Sequence, residues 1–589
     1  MDKNRIIGKV LEPIMRDCRF FLLLMFLNYI PSLSFWVKNY CPHFRYYGIL
    51  ALPAVFFATY VLCLLLNLFQ FKYRRYIKYT LFSLSYIITI IESYIIIFFG
   101  TRFNSMIITL CLETNPSEAS GFITTFINTP SFVKYALSVL CLSVFLLFIN
   151  KNSIARKIDS ILNKSINNIV VKIGLLFVIV LFVAIGTWRE GRNLYWHKYN
   201  IDEIGRVRKH SFYSTSYLSF SCLYEAVRLY WLSTYDLPIL IKTLENTELY
   251  DCKYKSKNII LIIGESYSKH HSSLYGYSLK TNPLLENENN LYVFKDVITT
   301  DAVTSQVMKN IFTFRDKHND MYWAKSTLFP RLFKKAGYHC AFVSNQEVEG
   351  ENTSDVYNMA NDYLANPKTK SLLWDVMNSQ KCQYDMQLVC EYAKTYQRDD
   401  SCNLAIFHLI GQHTAYQDRY PAEKTVFTES DYKYRTNLTE YQRSVVAHYD
   451  NAIAYCDEVL KSIIDLYRDD DAIVIFLSDH GEEVYDYRDY AGRSHEPTIT
   501  VNMAKYIYEV PFFIWMSDKY KEVHPDVVRN VEQSIYKPFA TEDLPHLLLD
   551  LAGIKCEMFD PSRSLLNDKY ISRKRLIGES KQDYDALVK

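Results

Sequence analysis

Five long apolar stretches fill the first third of this 589-residue chain and limit what it can fold into. Each is close to the roughly 20 residues that a helix needs to cross about 30 Å of hydrocarbon. Buried core helices seldom follow one another five times at this length, so the pattern predicts membrane-spanning helices. The stretches are Phe20–Trp36, Tyr46–Phe69, Tyr79–Gly100, Ser131–Ile149 and Val170–Trp188.

Basic residues in the loops orient these spans. Clusters precede the first span and separate the second from the third and the fourth from the fifth, whereas loops 37–45 and 101–130 carry far fewer. Because cytoplasmic loops hold the excess of Lys and Arg, the N-terminus is predicted in the cytoplasm. An odd number of spans then places everything after Trp188 outside. The clusters are Lys3, Arg5, Lys9, Arg16 and Arg19; Lys72, Arg74, Arg75 and Lys78; and Lys151, Arg156, Lys157 and Lys164.

After the fifth apolar stretch, the composition of the chain changes at residue 189 and again at residue 257. Residues 189–256 are rich in Tyr, Trp and basic side chains, which suits helices at the membrane interface. From Lys257 onward, short apolar runs alternate with segments of helical period such as Tyr441–Tyr467, which is typical of an α/β domain with a mostly parallel sheet flanked by helices. We predict a transmembrane domain of five helices at 1–188, interfacial bridging helices at 189–256 and an outer α/β domain at 257–589. The predicted strands are Ile259–Ile263, His339–Ser344, Leu404–Ile410, Ala472–Leu477 and Val510–Met516.

Polar side chains follow several of these strands. Glu265 comes just after Ile259–Ile263, and Asp479 and His480 follow Ala472–Leu477. Ligands of open α/β sheets collect at the carboxyl ends of strands, and carboxylate and imidazole groups suit zinc or a similar divalent ion. One histidine alone is more often structural, but several such sites together favour a functional site. The others are Thr299, Thr300, Thr304 and Ser305; Asn345 and Gln346; His413; and His495.

The loop between the third and fourth spans contains the run Glu113-Thr-Asn-Pro-Ser-Glu118. Its Asn-Pro pair is ordinary turn chemistry, so by spacing alone a solvated loop is the favoured interpretation. The alternative is that Glu113, Thr114, Asn115 and Glu118 bind a cationic lipid headgroup at the membrane surface.

Charge and cysteine content narrow the classes of partner and compartment. The formal net charge of +2 argues against nucleic acid as a partner. In an oxidising compartment Cys382 could pair with Cys390 or Cys402, because they are local in sequence, although connectivity cannot be deduced.

Several motifs together carry a resemblance to a known family. In order they are GES, LYGY, TNP, the Thr-containing segment, SNQ, GQH, HYDNAI, SDHGE and SHEP. They resemble the alkaline-phosphatase/sulfatase superfamily and, within it, the membrane phosphoethanolamine transferases that modify lipid A and other envelope glycans. The resemblance covers essentially the whole chain, since that family also has five spans, an interfacial bridge and an outer catalytic domain.

The resemblance implies roles for the polar residues. It gives Glu265, Asp479 and His480 as zinc ligands and Thr304, seven residues after Val297, as the nucleophile and a further ligand; Thr300 and Ser305 are the competitors. It also implies one or two zinc ions. The implied substrate-binding residues are His413 and His495, which would hold the transferred phosphate or a second metal, Asn345 and Gln346, and the headgroup loop with Glu113, Thr114, Asn115 and Glu118.

The implied activity is transfer of phosphoethanolamine from phosphatidylethanolamine to lipid A or lipopolysaccharide core, through a covalent intermediate on threonine. The implied location is the bacterial inner membrane, with a cytoplasmic N-terminus and a periplasmic catalytic domain. The alternative is a glycerol-phosphate transferase of the lipoteichoic-acid-synthase type or another phosphodiester-cleaving member of the superfamily.

The sequence differs from the patterns of its relatives in two ways that indicate which branch of the family it resembles. In the cysteine-rich lipid A branch the nucleophile lies between two cysteines that form a disulfide, and this chain has Thr300 and Asn310 there. The chain therefore resembles more closely the branch that modifies the glycan core. The sequence context in which sulfatases mature a Cys or Ser to formylglycine is absent near Thr304, which argues against sulfatase activity.

Overall fold

A computed structural model describes most of the chain in two compact units. One unit is drawn from residues 1–110, 127–232 and 494–498, and the other from 111–126, 233–493 and 499–589. The described residues are 3–38, 47–103, 107–108, 111, 129–166, 168–199, 218–233, 236–319, 321–346, 362–378, 381–395, 401–493 and 498–589.

The first unit is helical. Among its described helices, four are long and apolar enough to cross a membrane: Cys18–Lys38, Tyr47–Leu66, Phe71–Phe99 and Pro130–Asn150. They coincide with the first four predicted spans. The fifth prediction falls on the helix Ile169–Tyr199, in which the apolar described segment is the shorter Ile169–Ile185. The other helices in the described part of this unit are Lys3–Met15, Asn152–Ile166 and Ser219–Ser233.

A buried ion pair lies inside this helical unit. The Arg102 guanidinium donates two hydrogen bonds to the Glu92 carboxylate, of 2.7 and 2.9 Å, and further bonds to the hydroxyls of Ser32 and Ser219. All four side chains are buried. Because a buried charge is costly unless it is paired and hydrogen-bonded, this bidentate arrangement is what allows the two charges to stay there.

The second unit is built on one seven-stranded sheet. In chain order the strands are β1 Asn258–Gly264, β2 Leu291–Val293, β3 His339–Ser344, β4 Val376–Met377, β5 Asn403–His408, β6 Ala472–Ser478 and β7 Phe512–Met516. Their order across the sheet is β2-β7-β6-β1-β5-β3-β4. The strands β6, β1, β5, β3 and β4 are parallel, and β7 runs antiparallel to both β6 and β2.

Both faces of the central strands are covered, which explains why they read as continuous apolar runs. Ile259, Leu261 and Ile263 of β1 pack into one hydrophobic cluster, and Ile260 and Ile262 into another on the opposite face. The predicted mostly parallel sheet flanked by helices is confirmed. Some strand boundaries differ: β7 begins at Phe512 rather than Val510, and β5 ends at His408 rather than Ile410, after which the chain turns through Gly411 with φ +46°.

Helices of varied length surround this sheet. The longest, Glu440–Leu466, begins with a capping box in which Thr439 and Gln442 exchange hydrogen bonds. The others are Asp236–Glu245, Pro283–Glu286, Thr304–Phe312, Phe329–Ala336, Asp362–Ala365, Pro367–Leu373, Asp385–Thr395, Val501–Met503, Asp518–Val523, Pro525–Ser534, Leu544–Ala552 and Tyr584–Val588. Three short strand pairs complete the unit: Asp251–Cys252 with Ile554–Lys555, Val297–Ile298 with Phe539–Ala540, and Leu576–Ile577 with Gln582–Asp583.

Candidate metal centre and nucleophile

Three ionisable side chains meet where β1 and β6 end. These strands pair in parallel with Gly264 opposite Ser478, so the residues that follow each strand become neighbours. Glu265, Asp479 and His480 are all fully buried, and one ligand atom from each lies within 4.8 Å of the others. His480 Nε2 is 3.3 Å from Glu265 Oε1 and 3.1 Å from Asp479 Oδ2. The sheet thus unites the two stretches from which the metal ligands were predicted.

Backbone and neighbouring side chains fix the orientation of this cluster. Asp479 Oδ1 accepts hydrogen bonds from the N–H groups of Ser266 and His480, of 3.1 and 2.7 Å. The Ser266 hydroxyl donates to Glu265 Oε1 at 2.8 Å. Ser266 adopts a left-handed backbone with φ +56°, a conformation that non-glycine residues enter only under local constraint.

The histidine presents the nitrogen that a metal needs. His480 Nδ1 lies 2.8 Å from the Gly481 carbonyl oxygen, which can only accept, so Nδ1 carries the proton. In the neutral ring Nε2 then keeps its lone pair and faces the two carboxylates. This is the arrangement by which metal-ligating histidines are usually held.

The electrostatics of the cluster also fit a divalent cation. Burial raises the pKa of the Glu265 carboxyl, but the charge that His480 carries when its ring is protonated outweighs burial and holds that pKa well below its usual range. Burial and then the negative charge of Glu265 raise the pKa of Asp479. Two buried carboxylates thus compete for one imidazole, and a divalent ion would supply the missing positive charge. A cation, the Arg493 guanidinium, already lies 2.6 Å from His480 Nε2.

Thr304 brings a hydroxyl to this cluster. Its Oγ1 lies 3.1 Å from Glu265 Oε2 and 3.3 Å from His480 Nε2, and Thr304 is the first residue of the helix Thr304–Phe312. Helix N-termini favour negative charge and bind phosphate groups. Of the competitors, Thr300 is buried and accepts a hydrogen bond from Asn310, while Ser305 is 4% exposed and Thr304 is half-buried. The role of Thr304 as nucleophile stays a prediction.

The contact between Thr300 and Asn310 has a structural meaning of its own. Asn310 Nδ2 donates to Thr300 Oγ1 at 3.1 Å and to Asp301 Oδ2 at 2.7 Å. These are the two positions where the lipid A branch was expected to have its disulfide. In this chain, hydrogen bonds instead of a disulfide link the two ends of the short segment that contains Thr304.

The other predicted site residues are placed differently. Gln346 joins the cluster, since its Nε2 donates to Glu265 Oε2 at 2.9 Å, and half-buried His413 is close enough that its charge lowers the pKa of Glu265. The Asn345 side chain instead donates to Asp385 and accepts from the Cys382 N–H, so it braces the neighbouring loop. Glu113, Thr114, Asn115, Glu118 and His495 lie outside the described residues.

Sequence reasoning missed three residues around the cluster. They are Ser266, Glu482, whose carboxylate accepts from the Tyr416 hydroxyl at 3.1 Å, and Arg493. Ser266 and Glu482 stand in the GES and SDHGE motifs, so each was visible as the neighbour of a predicted ligand. Arg493 precedes the SHEP motif, and only the turn of the chain brings it back to His480.

A buried cluster of potential metal ligands lies at the ends of parallel strands, with a threonine at a helix N-terminus beside it, in an α/β domain of the kind that the sulfatases have. The sulfatase family model matches residues 257–554, and the chain belongs to this family. Its curated relatives include phosphoethanolamine transferase EptC of Escherichia coli (strain K12), which is 29% identical over 56% of this chain and 58% of its own length. Kdo(2)-lipid A phosphoethanolamine 7''-transferase of the same strain is 27% identical over 45% of each chain.

These matches span less than two thirds of the relatives' length. Among solved structures, the integral membrane protein lipooligosaccharide phosphoethanolamine transferase A (EptA) from Neisseria meningitidis covers 92% of this chain and 98% of its own, with a TM-score of 0.57 and 17% identity. That likeness shows a shared fold and confirms the predicted combination of a helical membrane part with a sulfatase-like domain.

Proposed function

We propose that the protein is a metal-dependent transferase that moves phosphoethanolamine from phosphatidylethanolamine to an envelope glycolipid, either lipid A or lipopolysaccharide core. The observation that carries the proposal is the Thr304 hydroxyl, 3.1 Å from Glu265 in the cluster with Asp479 and His480. The names of the relatives support the choice of phosphoethanolamine as the transferred group.

The proposed location is the bacterial inner membrane, with the N-terminus in the cytoplasm and the catalytic domain, 257–589, in the periplasm. The four long apolar helices support a membrane protein, and the distribution of basic residues supports the orientation. Five spans at 1–188 and interfacial helices at 189–256 are part of the same proposal.

The residues that would hold the metal are Glu265, Asp479, His480 and Thr304, a donor set suited to zinc. When bound, zinc would supply positive charge that lowers the pKa of the threonine hydroxyl, an otherwise weak nucleophile at neutral pH. The number of zinc ions in the proposal is one, or two if His413 and His495 hold a second.

The chemistry of this proposal is two in-line displacements. In the first, Thr304 Oγ1 forms a bond to the phosphorus of the donor, the bond from phosphorus to the diacylglycerol oxygen breaks, and that oxygen takes up the proton lost by the hydroxyl. In the second, an acceptor oxygen attacks the same phosphorus, the bond to Oγ1 breaks, and Thr304 regains a proton. The N-terminus of the helix Thr304–Phe312 and the imidazoles of His413 and His495 would stabilise the phosphoryl oxygens.

Selection of the donor is assigned to the loop with Glu113, Thr114, Asn115 and Glu118. Its two carboxylates would attract the ammonium of ethanolamine, for which a glycerol headgroup has no counterpart. Gln346 would keep the Glu265 carboxylate in place.

Mass spectrometry of the full chain incubated with phosphatidylethanolamine tests this proposal. We expect a phosphoethanolamine adduct on the peptide with Thr304, absent from Thr304→Ala and present in the matched control Ser305→Ala. An adduct that persists in Thr304→Ala and is lost in Ser305→Ala would move the nucleophile. A glycerophosphate adduct formed from phosphatidylglycerol, with none from phosphatidylethanolamine, would favour the lipoteichoic-acid-synthase type of reaction.

A further inference from the structure

Thr304 begins its helix without a side-chain cap, so the position of its hydroxyl depends on how the preceding segment is held. The residue before it, Val303, has no polar side-chain atom and makes no capping hydrogen bond. Most helices begin at a polar side chain that accepts a bond from an N–H group of the first turn. The charged side chain that most closely precedes Thr304 in the sequence is that of Asp301, which is buried.

Both carboxylate oxygens of Asp301 accept hydrogen bonds from buried donors. Oδ2 accepts one of 2.7 Å from Asn310 Nδ2, and Oδ1 accepts one of 2.7 Å from the Lys317 ammonium. Asn310 and Lys317 are both buried. Because a buried charge is costly unless it is paired and hydrogen-bonded, the carboxylate and the ammonium keep each other in place. We call Asp301, Asn310 and Lys317 the Thr304 brace.

The brace joins the two ends of the helix Thr304–Phe312. Asp301 precedes the helix and Asn310 lies in its last turn, so the bond between them runs along the helix. A helix of this length has few internal hydrogen bonds of its own and gains its stability from tertiary contacts. The start of the helix, where Thr304 lies, is therefore fixed from its far end.

Lys317 reaches Asp301 from a separate part of the chain that is itself fixed. The adjacent Asp316 carboxylate pairs with the guanidinium groups of Arg563 and Arg573, each at 3.0 Å. These are charge-assisted contacts, which are stronger than hydrogen bonds between neutral groups. The ammonium is thus held at Asp301 by neighbours that cannot follow a displaced helix.

We propose that the Thr304 brace positions the nucleophile, so that its three members are positioning residues of the transfer reaction. The brace is buried and therefore acts through Thr304, whose Oγ1 it keeps 3.1 Å from Glu265 Oε2. Misplacing a reacting group by about 1 Å can cost about a hundredfold in rate. This inference rests on the proposed function, because it concerns the nucleophile of that same reaction.

Single-turnover formation of the phosphoethanolamine adduct by the full-length, detergent-solubilised protein tests the inference. Lys317→Met leaves the buried Asp301 carboxylate without its cation and should slow adduct formation about a hundredfold. The concentration of phosphatidylethanolamine that gives half the maximal rate should stay the same, because the brace does not contact the donor. Lys334→Met is the matched control, since that ammonium pairs with Asp375 at 2.8 Å and should leave the rate unchanged.

The double variant Asp301→Asn with Lys317→Met separates positioning from stability. It removes both charges, so its melting temperature should recover relative to Lys317→Met alone. Its rate of adduct formation should nevertheless stay at least about tenfold below that of the unmodified protein, because the bond that holds the brace together is still missing. An unchanged rate in Lys317→Met, or a rate that recovers together with the melting temperature, would overturn the inference.

Hydrogen exchange distinguishes that outcome from a failure of the proposed function. In the double variant, the amides of residues 299–312 should exchange at least about tenfold faster than in the unmodified protein, whereas those of the central strands should not change. Unchanged exchange in 299–312 would overturn the inference whether or not an adduct forms. An unmodified protein that forms no adduct on Thr304 would instead contradict the transferase proposal.

Discussion

His271 is a charged histidine held between the buried carboxylate of Asp450 and the half-buried carboxylate of Asp486. Its Nδ1 lies 2.6 Å from Asp450 and its Nε2 3.2 Å from Asp486, and the ring is 1% exposed. Burial opposes the charge, but the two carboxylates raise the pKa of His271 to about 10. The folded-state pKa is therefore above the unfolded value of about 6.5, so the stabilisation is complete below pH 6.5 and is lost as the pH rises through 10.

His271→Gln should test that linkage. We expect the substitution to lower the free energy of unfolding by about 3–5 kcal/mol at pH 6, because it leaves the buried Asp450 carboxylate without its cation, whereas Asp486 keeps Arg435 at 3.5 Å. The difference from the unmodified protein should shrink as the pH approaches 10.5. Thermal melts of both proteins followed by tryptophan fluorescence at pH 6, 8 and 10.5 measure it, and a constant difference would contradict the assigned charge.

The metal ligands make a second prediction. Asp479→Asn and His480→Ala should lower zinc affinity by at least about a hundredfold, because outer-shell partners alone account for 10- to 100-fold. Zinc content after dialysis, measured by inductively coupled plasma mass spectrometry, reports this loss. Asp457→Asn is the control, since that buried carboxylate caps the N–H groups of Leu284 and Leu285 instead. Full zinc content in the two ligand variants would show that the metal binds elsewhere.

Individual residues differed in how well the sequence foretold them. Glu265, Asp479 and His480 were foreseeable because each follows an apolar run long enough to be a buried strand. Asn345 also follows such a strand, yet its side chain bonds to Asp385. Whether the Asn345 side chain faces the cluster or Asp385 depends on its rotamer, which cannot be read from the sequence pattern. Arg493 was missed because its approach to His480 depends on the path of a loop.

Gly481 shows how one turn sets the geometry of the site. A Cβ at Gly481 would lie 2.2 Å from the Tyr506 carbonyl oxygen and 3.3 Å from that of Glu509. Gly481→Ala must therefore push the π-helical turn Ala504–Tyr508 away from the segment that follows β6. We expect a protein that remains folded but loses at least about tenfold in zinc affinity, since His480 Nδ1 is held by the Gly481 carbonyl. Circular dichroism together with zinc titration checks both statements. Gly276→Ala is the comparison, because a Cβ there meets nothing within 4 Å although its φ of +93° adds local strain.

The strands were easier to foresee than their directions. Runs such as Ile259–Ile263 are apolar throughout because helices cover both faces of the sheet, and that composition is visible in the sequence. The antiparallel course of β7 was not foreseeable, since a buried strand has the same composition in either direction. β2 and β4, with three and two residues, are too short to show any period. The π-helical turn Ala504–Tyr508, with five residues, is likewise too short to show a period in the sequence.

The two units should respond separately to substitutions in their cores. Arg102 links residues of three helices in the helical unit through Glu92, Ser32 and Ser219. Arg102→Met leaves the Glu92 carboxylate buried without a partner cation, which typically costs about 3–5 kcal/mol. We expect a lower melting temperature for the helical unit and unchanged zinc content, because the proposed metal ligands lie in the other unit.

The double variant Glu92→Gln with Arg102→Met is the control for this prediction. It removes both charges and should recover part of the lost stability. Differential scanning calorimetry in detergent, with zinc analysis of the same samples, measures both effects. Loss of zinc in Arg102→Met would contradict the independence of the two cores.

The division of the chain into a helical membrane part and an α/β domain was predictable, because long apolar stretches and short ones call for different structures. The pairing of β1 with both β5 and β6 was not. Neighbours in that sheet are separated by long insertions, and nothing in the composition of β1 selects its partners.

The meeting of β1 with β6 has a consequence in time. Ser266 and Asp479 are hydrogen-bonded across 213 residues of sequence. At roughly 5–20 residues per second, a ribosome needs about 10–40 s to make the second after the first. During that interval Glu265 and Thr304 exist without Asp479 and His480, and the edge of β1 that pairs with β6 lacks its partner. With the proposed ligand set, zinc would therefore be loaded only late in biosynthesis, and a chain truncated before Asp479 would carry Thr304 without two of its proposed partner ligands.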